Sequence, residues 1–403
     1  MKYCLVGEKL GHSYSKIIHE KMGYNYTLNE VSKQDICKFF TSNDYAGFNI
    51  TIPYKIEILP YLYYISKSAK LIGAVNTVKN IDGKLYGYNT DIGGMKYMLS
   101  RKGISLKDKV VMILGTGGTS NTCQTLCQEE GAKKIIIVGR NSKVNYSNCY
   151  DYLETQIIIN TTPVGMSPNY DACPINLEKF SNLIGVFDCI YNPLNTLLIQ
   201  NAKKLNLVCD TGLSMLVKQA LLAQDIWSNN SHSDTLVEEI IKDLKKKTSN
   251  IVLIGMPSCG KSTIGKIIAE KFSLPFVDSD TEIEKVYGKS PKQIIEENGE
   301  EYFRDIESKV IKNITSTVGQ VISVGGGAVI KQENQINLKR NGQVVYIKRN
   351  LELLNTENRP LSATKGLQTL YNERKEIYNS LADYIVENNT EIENTIRKLE
   401  EIL

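Results

Sequence analysis

Two glycine-rich turns, each directly behind a short apolar run, constrain this chain more than any other feature. Gly115-Thr116-Gly117-Gly118-Thr119 follows Val110-Val111-Met112-Ile113-Leu114, and Gly255-Met256-Pro257-Ser258-Cys259-Gly260-Lys261-Ser262-Thr263 follows Ile251-Val252-Leu253-Ile254. A strand that passes through glycines into a helix opens a βαβ unit, and the free amides of the helix N-terminus attract anions. The two turns differ in kind. The second has the full spacing of a P-loop. Amides from Ser258, Cys259, Gly260 and Thr263 cradle phosphates, Lys261 reaches the outer oxygens and Ser262 ligates magnesium, which predicts an ATP-type site with Mg2+. The first has two glycines of the dinucleotide fingerprint, with Ser120 where a third is usual. After the next strand, Lys134 to Val138, comes Gly139-Arg140-Asn141 in place of an acidic residue. Arg140 can pair with a 2′-phosphate, so NADP(H) is favoured over NAD. A hydride carrier and a phosphoryl donor serve different reactions, and their presence on one chain predicts two catalytic units in tandem.

The 403 residues, 42% hydrophobic and 23% charged, suffice for two or three globular domains. No apolar run approaches the ~18 residues of a membrane span and no signal-peptide core follows Lys2, so a soluble, cytoplasmic protein without a membrane partner is expected. Nine cysteines scattered among apolar neighbours suit a reducing compartment, and three histidines argue against a histidine-based metal site. A net charge of +4 is too small and dispersed for nucleic-acid binding. The pattern is α/β throughout. Strands at 3–7, 47–52 and 77–80 alternate with helical stretches. A second unit starts at Val110, helical periodicity runs over 214–227 and 235–246, and a third α/β unit follows the polar stretch 245–250.

Around the first turn lie Gly11-His12-Ser13-Tyr14-Ser15, Asn49-Ile50-Thr51-Ile52-Pro53-Tyr54-Lys55, Gly73-Ala74-Val75-Asn76-Thr77, Asn89-Thr90-Asp91 and Met215-Leu216-Val217-Lys218-Gln219-Ala220. In this order they resemble the shikimate dehydrogenase family over roughly residues 1–245. The resemblance implies that Ser13, Ser15, Thr51, Lys55, Asn76, Asp91, Tyr191 and Gln219 surround a small polyhydroxylated carboxylate. It also implies that Gly115 to Thr119, Arg140, Asn141 and Gly212 serve the cofactor. Hydride delivery to a ring ketone builds negative charge on its oxygen, so a proton donor must stand beside it. Lys55 is the candidate, with Asp91 as its partner; the resemblance leaves the division of acid–base work between them open. The stretch from Asn141 to Asn160 leaves room for only a shortened crossover helix.

Behind the P-loop come Phe276-Val277-Asp278-Ser279-Asp280, Gly299-Glu300-Glu301-Tyr302-Phe303-Arg304-Asp305-Ile306-Glu307, Gly325-Gly326-Gly327-Ala328, Arg359-Pro360-Leu361 and Glu373-Arg374-Lys375-Glu376-Ile377-Tyr378. This set resembles the shikimate kinase family over about residues 249–403. By that resemblance Asp278 joins Ser262 near the magnesium, and Asp280 holds the acceptor hydroxyl and takes its proton. Arg304 and Arg374 grip the substrate carboxylate, Gly326 lets backbone approach the ring, and Arg359 on a lid closes over the phosphates.

The fold expected is an α/β, shikimate dehydrogenase-like two-lobed unit followed by a P-loop α/β kinase domain. Its substrate lobe comprises 1–100 and 213–245, its Rossmann NADP lobe 101–212, the linker 246–250 and the kinase 251–403. The product of the first reaction is the substrate of the second. The expectation is a bifunctional enzyme reducing 3-dehydroshikimate with NADPH and then phosphorylating shikimate with ATP and Mg2+, on the route to chorismate and the aromatic amino acids. The same architecture also suits a quinate or related polyol-acid dehydrogenase joined to another small-molecule kinase. A ligand sensor would be favoured by loss of Lys55, Asp91, Lys261 or Asp280, and none is lost.

Overall fold

Each apolar run that precedes a glycine turn becomes a fully buried strand near the middle of a parallel sheet, where both faces are covered and continuous hydrophobicity is what burial demands. The computed structural model describes residues 1–11, 13–42, 44–354 and 366–403. It divides into two compact units, Met1–Lys242 and Asp243–Leu403.

The first unit holds two sheets. One has six strands in the order β2-β1-β3-β5-β6-β4, formed by β1 (Tyr3–Gly7), β2 (Tyr26–Glu30), β3 (Gly47–Ile50), β4 (Tyr64–Ile65), β5 (Thr77–Ile81) and β6 (Lys84–Tyr88). β1 lies parallel to β2 and β3, whereas β5 runs antiparallel to both β3 and β6. The other sheet is parallel, in the order β11-β10-β9-β7-β8. Its strands are β7 (Val110–Leu114), β8 (Lys134–Val138), β9 (Ile157–Asn160), β10 (Gly185–Asp188) and β11 (Val208–Thr211). The chain reverses direction across the sheet between β8 and β9, so the carboxyl ends of β7 and β9 flank the switch point where such sheets bind ligands. The expected shortened crossover helix is absent: the connection from β8 to β9 carries one 3-10 turn, Cys149–Asp151. Val144, Tyr146, Tyr150 and Tyr152 cover the sheet face that a helix would otherwise bury.

Two helices join these sheets. Asp91–Ser100 leaves β6 and Gly212–Ser228 leaves β11, and they pack closely because a side chain at Gly94 would meet Met215 O at 2.5 Å. Trp227 on the second helix donates from Nε1 to Val78 O at 2.9 Å and fills the space over Gly47. The end of that helix is thereby pinned to the six-stranded sheet.

The second unit is a parallel sheet in the order β13-β14-β12-β15-β16. These strands are β12 (Asn250–Ile254), β13 (Phe276–Asp278), β14 (Val321–Ser323), β15 (Gly342–Lys348) and β16 (Tyr384–Glu387). The polar run 246–250, expected as a linker, is instead ordered structure. It forms the last turn of the helix Asp234–Thr248 and the start of β12. Its polar groups find backbone partners: Thr248 Oγ1 donates to Leu244 O at 2.7 Å and Asn250 Nδ2 to Thr317 O at 2.8 Å. Among the described residues no helix is long and apolar enough to cross a membrane.

His19 makes the first unit sensitive to acid. It is wholly buried, stacked on Tyr26 at 4.1 Å, with Nδ1 3.0 Å from Gln224 Nε2. Burial pushes its pKa down to about 3, offset in part by the Asn49 side chain, whereas an unfolded histidine titrates near ~6.5. Between those values the unfolded chain binds the extra proton, so His19's contribution is complete above about pH 6.5 and is lost on acidification at up to about 1.4 kcal/mol per pH unit. Urea unfolding should therefore show wild type losing about 2 kcal/mol more than His19→Gln between about pH 7 and about pH 5. Equal losses would remove His19 as the cause.

Candidate active sites

The loop after β3 carries Lys55, and the helix Asp91–Ser100 begins at Asp91, so the sheet's geometry determines where the two meet. Lys55 Nζ donates to Asp91 Oδ2 at 2.6 Å, with both side chains mostly buried. Asn76, just before β5, donates from Nδ2 to Asp91 Oδ1 at 2.8 Å and to Thr90 Oγ1 at 3.1 Å, while its Oδ1 accepts from Thr90 N at 2.7 Å. Gln219, on the helix Gly212–Ser228, accepts at Oε1 from Thr90 Oγ1 at 3.4 Å and from Asn76 Nδ2 at 3.5 Å. Four of the expected substrate residues thus form one hydrogen-bonded set. Asn76 acts within it chiefly as the clamp on Asp91 and Thr90. Behind the set, Tyr26 donates to Asn49 Oδ1 at 2.7 Å and Asn49 Nδ2 donates to Thr77 Oγ1 at 3.0 Å.

Thr51 stands past the end of β3, its methyl close over Gly7. Ser13 Oγ accepts from Ser15 N at 3.2 Å, and Ser15, which starts the helix Ser15–Lys21, is buried. Between these serines Tyr14 lies 5.4 Å, ring to ring, from Tyr191.

At the dinucleotide turn Gly115 adopts φ +110° and lies against Thr161 and Thr162, so a side chain there would strike them. Added side chains at Gly117 and Gly118 would meet nothing within 4 Å, which leaves both exposed backbones, with Thr116 and Thr119 around them, accessible to a pyrophosphate at the start of the helix Gly118–Glu129. Ser120, in the usual third-glycine place, is buried and its hydroxyl accepts from Gln124 Nε2 at 3.2 Å. Arg140 and Asn141 are exposed after β8. These residues fit a dinucleotide phosphate and a 2′-phosphate. Gly212 has a different reason to be glycine: a side chain would lie 2.0 Å from Cys189 O.

In the second unit Gly255 (φ +145°), Ser258 (φ 62°) and Gly260 (φ +101°) wrap the P-loop into a cradle. Lys261 is buried and donates to Gly255 O at 3.0 Å and Met256 O at 2.9 Å, with Cys259 Sγ at 3.8 Å. Ser262 Oγ donates to Asp278 Oδ2 at 2.7 Å, and Thr263 follows on the exposed face of the same helix. Two such hard oxygen donors at the phosphate cradle fit Mg2+. Asp278 also caps the helix Ser279–Tyr287, accepting from Asp280 N at 3.0 Å, which fixes Asp280 beside it.

Glu307, which the sequence offers only as a helix-surface partner of Arg304 and not as a site residue, is turned inward by the fold. It is wholly buried and accepts from Arg304 Nη1 at 2.7 Å, while Glu300 accepts from Nη2 at 3.1 Å. Burial raises its pKa; Arg304 and Arg374 oppose this, and Asp280 adds to it. A group at Gly325 would touch both Glu307 Oε1 and Asp280 Oδ1, and one at Gly327 would strike the Arg304 guanidinium. Asp280, Arg304 and Arg374 are therefore gathered round one carboxylate, under the glycine loop that Tyr378 fixes by donating to Gly326 O. Arg374 Nε, buried, has no hydrogen-bond partner among the described residues, which fits a site for an anionic substrate. The only available signal for Glu307 was its spacing of three from Arg304 on a helix. Arg359, expected on the lid, lies outside the described residues, as does His12.

A lysine–carboxylate pair beside a dinucleotide lobe, followed by a complete P-loop with its own acid and arginines, defines a dehydrogenase and a kinase for small acids. A family model for the shikimate dehydrogenase substrate binding domain matches residues 5–78, and one for shikimate kinase matches 257–403. Shikimate dehydrogenase (NADP(+)) of Clostridium beijerinckii is 40% identical over 245 residues, covering 56% of this chain and 91% of that protein. The chain belongs to the shikimate dehydrogenase family and carries a shikimate kinase domain behind it. Among solved structures, a chorismate mutase/shikimate 5-dehydrogenase fusion protein from Clostridium acetobutylicum aligns with TM-score 0.58 at 35% identity, over 61% of this chain and 97% of that one. Shikimate 5-dehydrogenase from Thermus thermophilus, in complex with NADP(H) and shikimate, aligns with TM-score 0.55 at 27% identity, over 60% and 99%.

If Arg140 pairs with the 2′-phosphate, Arg140→Ala should raise the Kd for NADPH about tenfold and leave that for NADH within about twofold in fluorescence titration. An equal loss for both would separate Arg140 from that phosphate.

Proposed function

We propose that this chain performs two consecutive steps of the shikimate pathway: NADPH-dependent reduction of 3-dehydroshikimate to shikimate, then ATP-dependent phosphorylation of shikimate to shikimate 3-phosphate. The observation that carries the reading is the pairing of Lys55 with Asp91 in one unit and of a full P-loop with Asp280, Arg304 and Arg374 in the other. NADPH supplies the hydride, and ATP with magnesium supplies the phosphoryl group. A cytoplasmic location accompanies this reading, since both are supplied there.

In the first site Lys55 gives a proton to the ketone oxygen as negative charge grows on it, and recovers one from solvent. Both Asp91 oxygens already accept hydrogen bonds, from Lys55 and Asn76, so Asp91 orients the ammonium and takes a substrate hydroxyl. Ser13, Ser15, Thr51, Tyr191 and Gln219 complete the substrate site. In the second site Arg304 and Arg374 hold the shikimate carboxylate, Gly326 gives the ring backbone contact, and Asp280 holds the attacking hydroxyl and takes its proton. Lys261 neutralises charge on the transferring phosphate, and Ser262 and Asp278 supply the metal donors.

Both reactions can be read in one mixture of 3-dehydroshikimate, NADPH and ATP–magnesium, with shikimate added in a parallel sample. Lys55→Ala should slow NADPH oxidation about a hundredfold or more and spare phosphorylation of added shikimate, while Lys261→Ala should do the reverse. A wild type that oxidises no NADPH sinks the first assignment. Undiminished phosphorylation by Lys261→Ala sinks the second.

A further inference from the structure

Asp188 ends β10 wholly buried, and among the described residues no cation pairs with it. Burial pushes its pKa up to about 6, against the hydrogen bonds that favour the carboxylate. The other titratable groups that face it are the thiols of Cys173 and Cys189, which bring no positive charge. An uncompensated buried carboxylate is costly, and two adjoining strand ends could be joined by apolar side chains instead.

Its three donors come from the end of β9 and from the two ends of the loop after β10. Oδ1 accepts from Asn160 Nδ2 and from Ile190 N, both at 3.0 Å, and Oδ2 accepts from Thr196 Oγ1 at 2.6 Å. Asn160 faces Asp188 in the β9–β10 register, and its own Oδ1 accepts from Thr162 N at 3.0 Å and Thr162 Oγ1 at 2.7 Å. That shapes the Thr161-Thr162 turn lying against Gly115 of the dinucleotide loop. Ile190 leads directly into Tyr191, whose ring meets Tyr14 between the two substrate-side serines. Thr196 caps the helix Leu197–Lys204, its Oγ1 accepting from Ile199 N at 3.4 Å.

We propose that Asp188 is a positioning residue for the dehydrogenase reaction: it locks the loop after β9, on the cofactor side, to the loop after β10, which carries Tyr191 on the substrate side, and so sets the approach of hydride donor to ketone. This rests on the dehydrogenase reading above. Asp188 touches neither reactant and acts through Thr162 and Tyr191. Misplacement of reactants by about an ångström costs on the order of a hundredfold in rate.

The test uses the full chain and steady-state reduction of 3-dehydroshikimate, with the NADPH Kd and the thermal midpoint measured on the same samples. Asp188→Asn keeps an acceptor for Asn160 and Ile190 but turns a donor toward Thr196. It should lower kcat about tenfold to a hundredfold while the NADPH Kd stays within about threefold. Thr196→Val, which removes the bond to Oδ2 together with the long cap bond from Ile199 N, should lower kcat less and in the same direction, and it serves where an Asp188 variant fails to fold. An unchanged kcat in Asp188→Asn, or a loss confined to NADPH affinity or to the thermal midpoint, overturns the inference while leaving the dehydrogenase reading intact. A wild type that binds NADPH yet reduces nothing removes both.

Discussion

Glycine at positions 93 and 94 lets one helix lie directly against another, and the dehydrogenase site depends on that approach. A side chain at Gly93 would strike Leu222, and one at Gly94 would strike Met215 O. With both absent, Asp91 at the head of the helix Asp91–Ser100 comes within the hydrogen-bond set that includes Gln219. The other end of the same helix is clamped as well. Arg101 donates to Asp210 Oδ2 at 2.7 Å and grips Glu238 with two bonds of 2.8 and 2.6 Å, a forked, charge-assisted geometry that fixes orientation as well as distance. The helix is thus a strut running from the Lys55–Asp91 ion pair to the end of β11, and a change in its packing would move Asp91 relative to Lys55.

The two phosphate loops solve a shared problem differently. Each must bring backbone amides close to an anion, which favours glycine where φ is positive or where a neighbour crowds in. The P-loop is braced from behind by the adjoining strands: Gly255 presses on Ile347 O of β15, and Gly260 on Asn388, whose Nδ2 donates to Cys259 O at 2.9 Å. Its lysine is desolvated, and a buried ammonium must find acceptors; the carbonyls of Gly255 and Met256 provide them. The dinucleotide loop is braced by a turn, Thr161-Thr162, whose shape is itself set by Asn160. Its positioning therefore depends on a chain of side-chain bonds.

Much of this was legible in the sequence because motif order and burial periodicity are local properties. The buried runs at β7 and β12 and the P-loop follow from residue type and spacing, whereas Lys55, Asn76, Asp91 and Gln219 are singled out by the resemblance to the shikimate dehydrogenase family. What was not legible depends on partners far apart in the chain. Glu307 reads as one more surface carboxylate on a charged helix until the fold turns it inward to Arg304 and toward Arg374. The polar run at 246–250 reads as a linker because hydrophilicity correlates with loops, yet side chain–backbone bonds absorb its polar groups. The crossover between β8 and β9 could be seen to be short, but its replacement by packed aromatic side chains is a tertiary solution with no period to detect.

Glu307 and Asp188 are the two wholly buried carboxylates on which these sites depend, and their surroundings assign them different work. Glu307 has cations about it, so its charge organises guanidinium groups that can then turn their remaining donors to an anionic substrate. Asp188 has only neutral donors, so its charge cannot recruit an anion; what it can do is collect hydrogen bonds from the end of β9 and from both ends of the loop after β10 at a single point. Removing Glu307 would free Arg304 Nη1 and take away the charge that faces Arg374, and so disturb binding first. Removing Asp188 would leave both reactants bound but free to drift apart, and the loss would then fall on the rate of the chemical step.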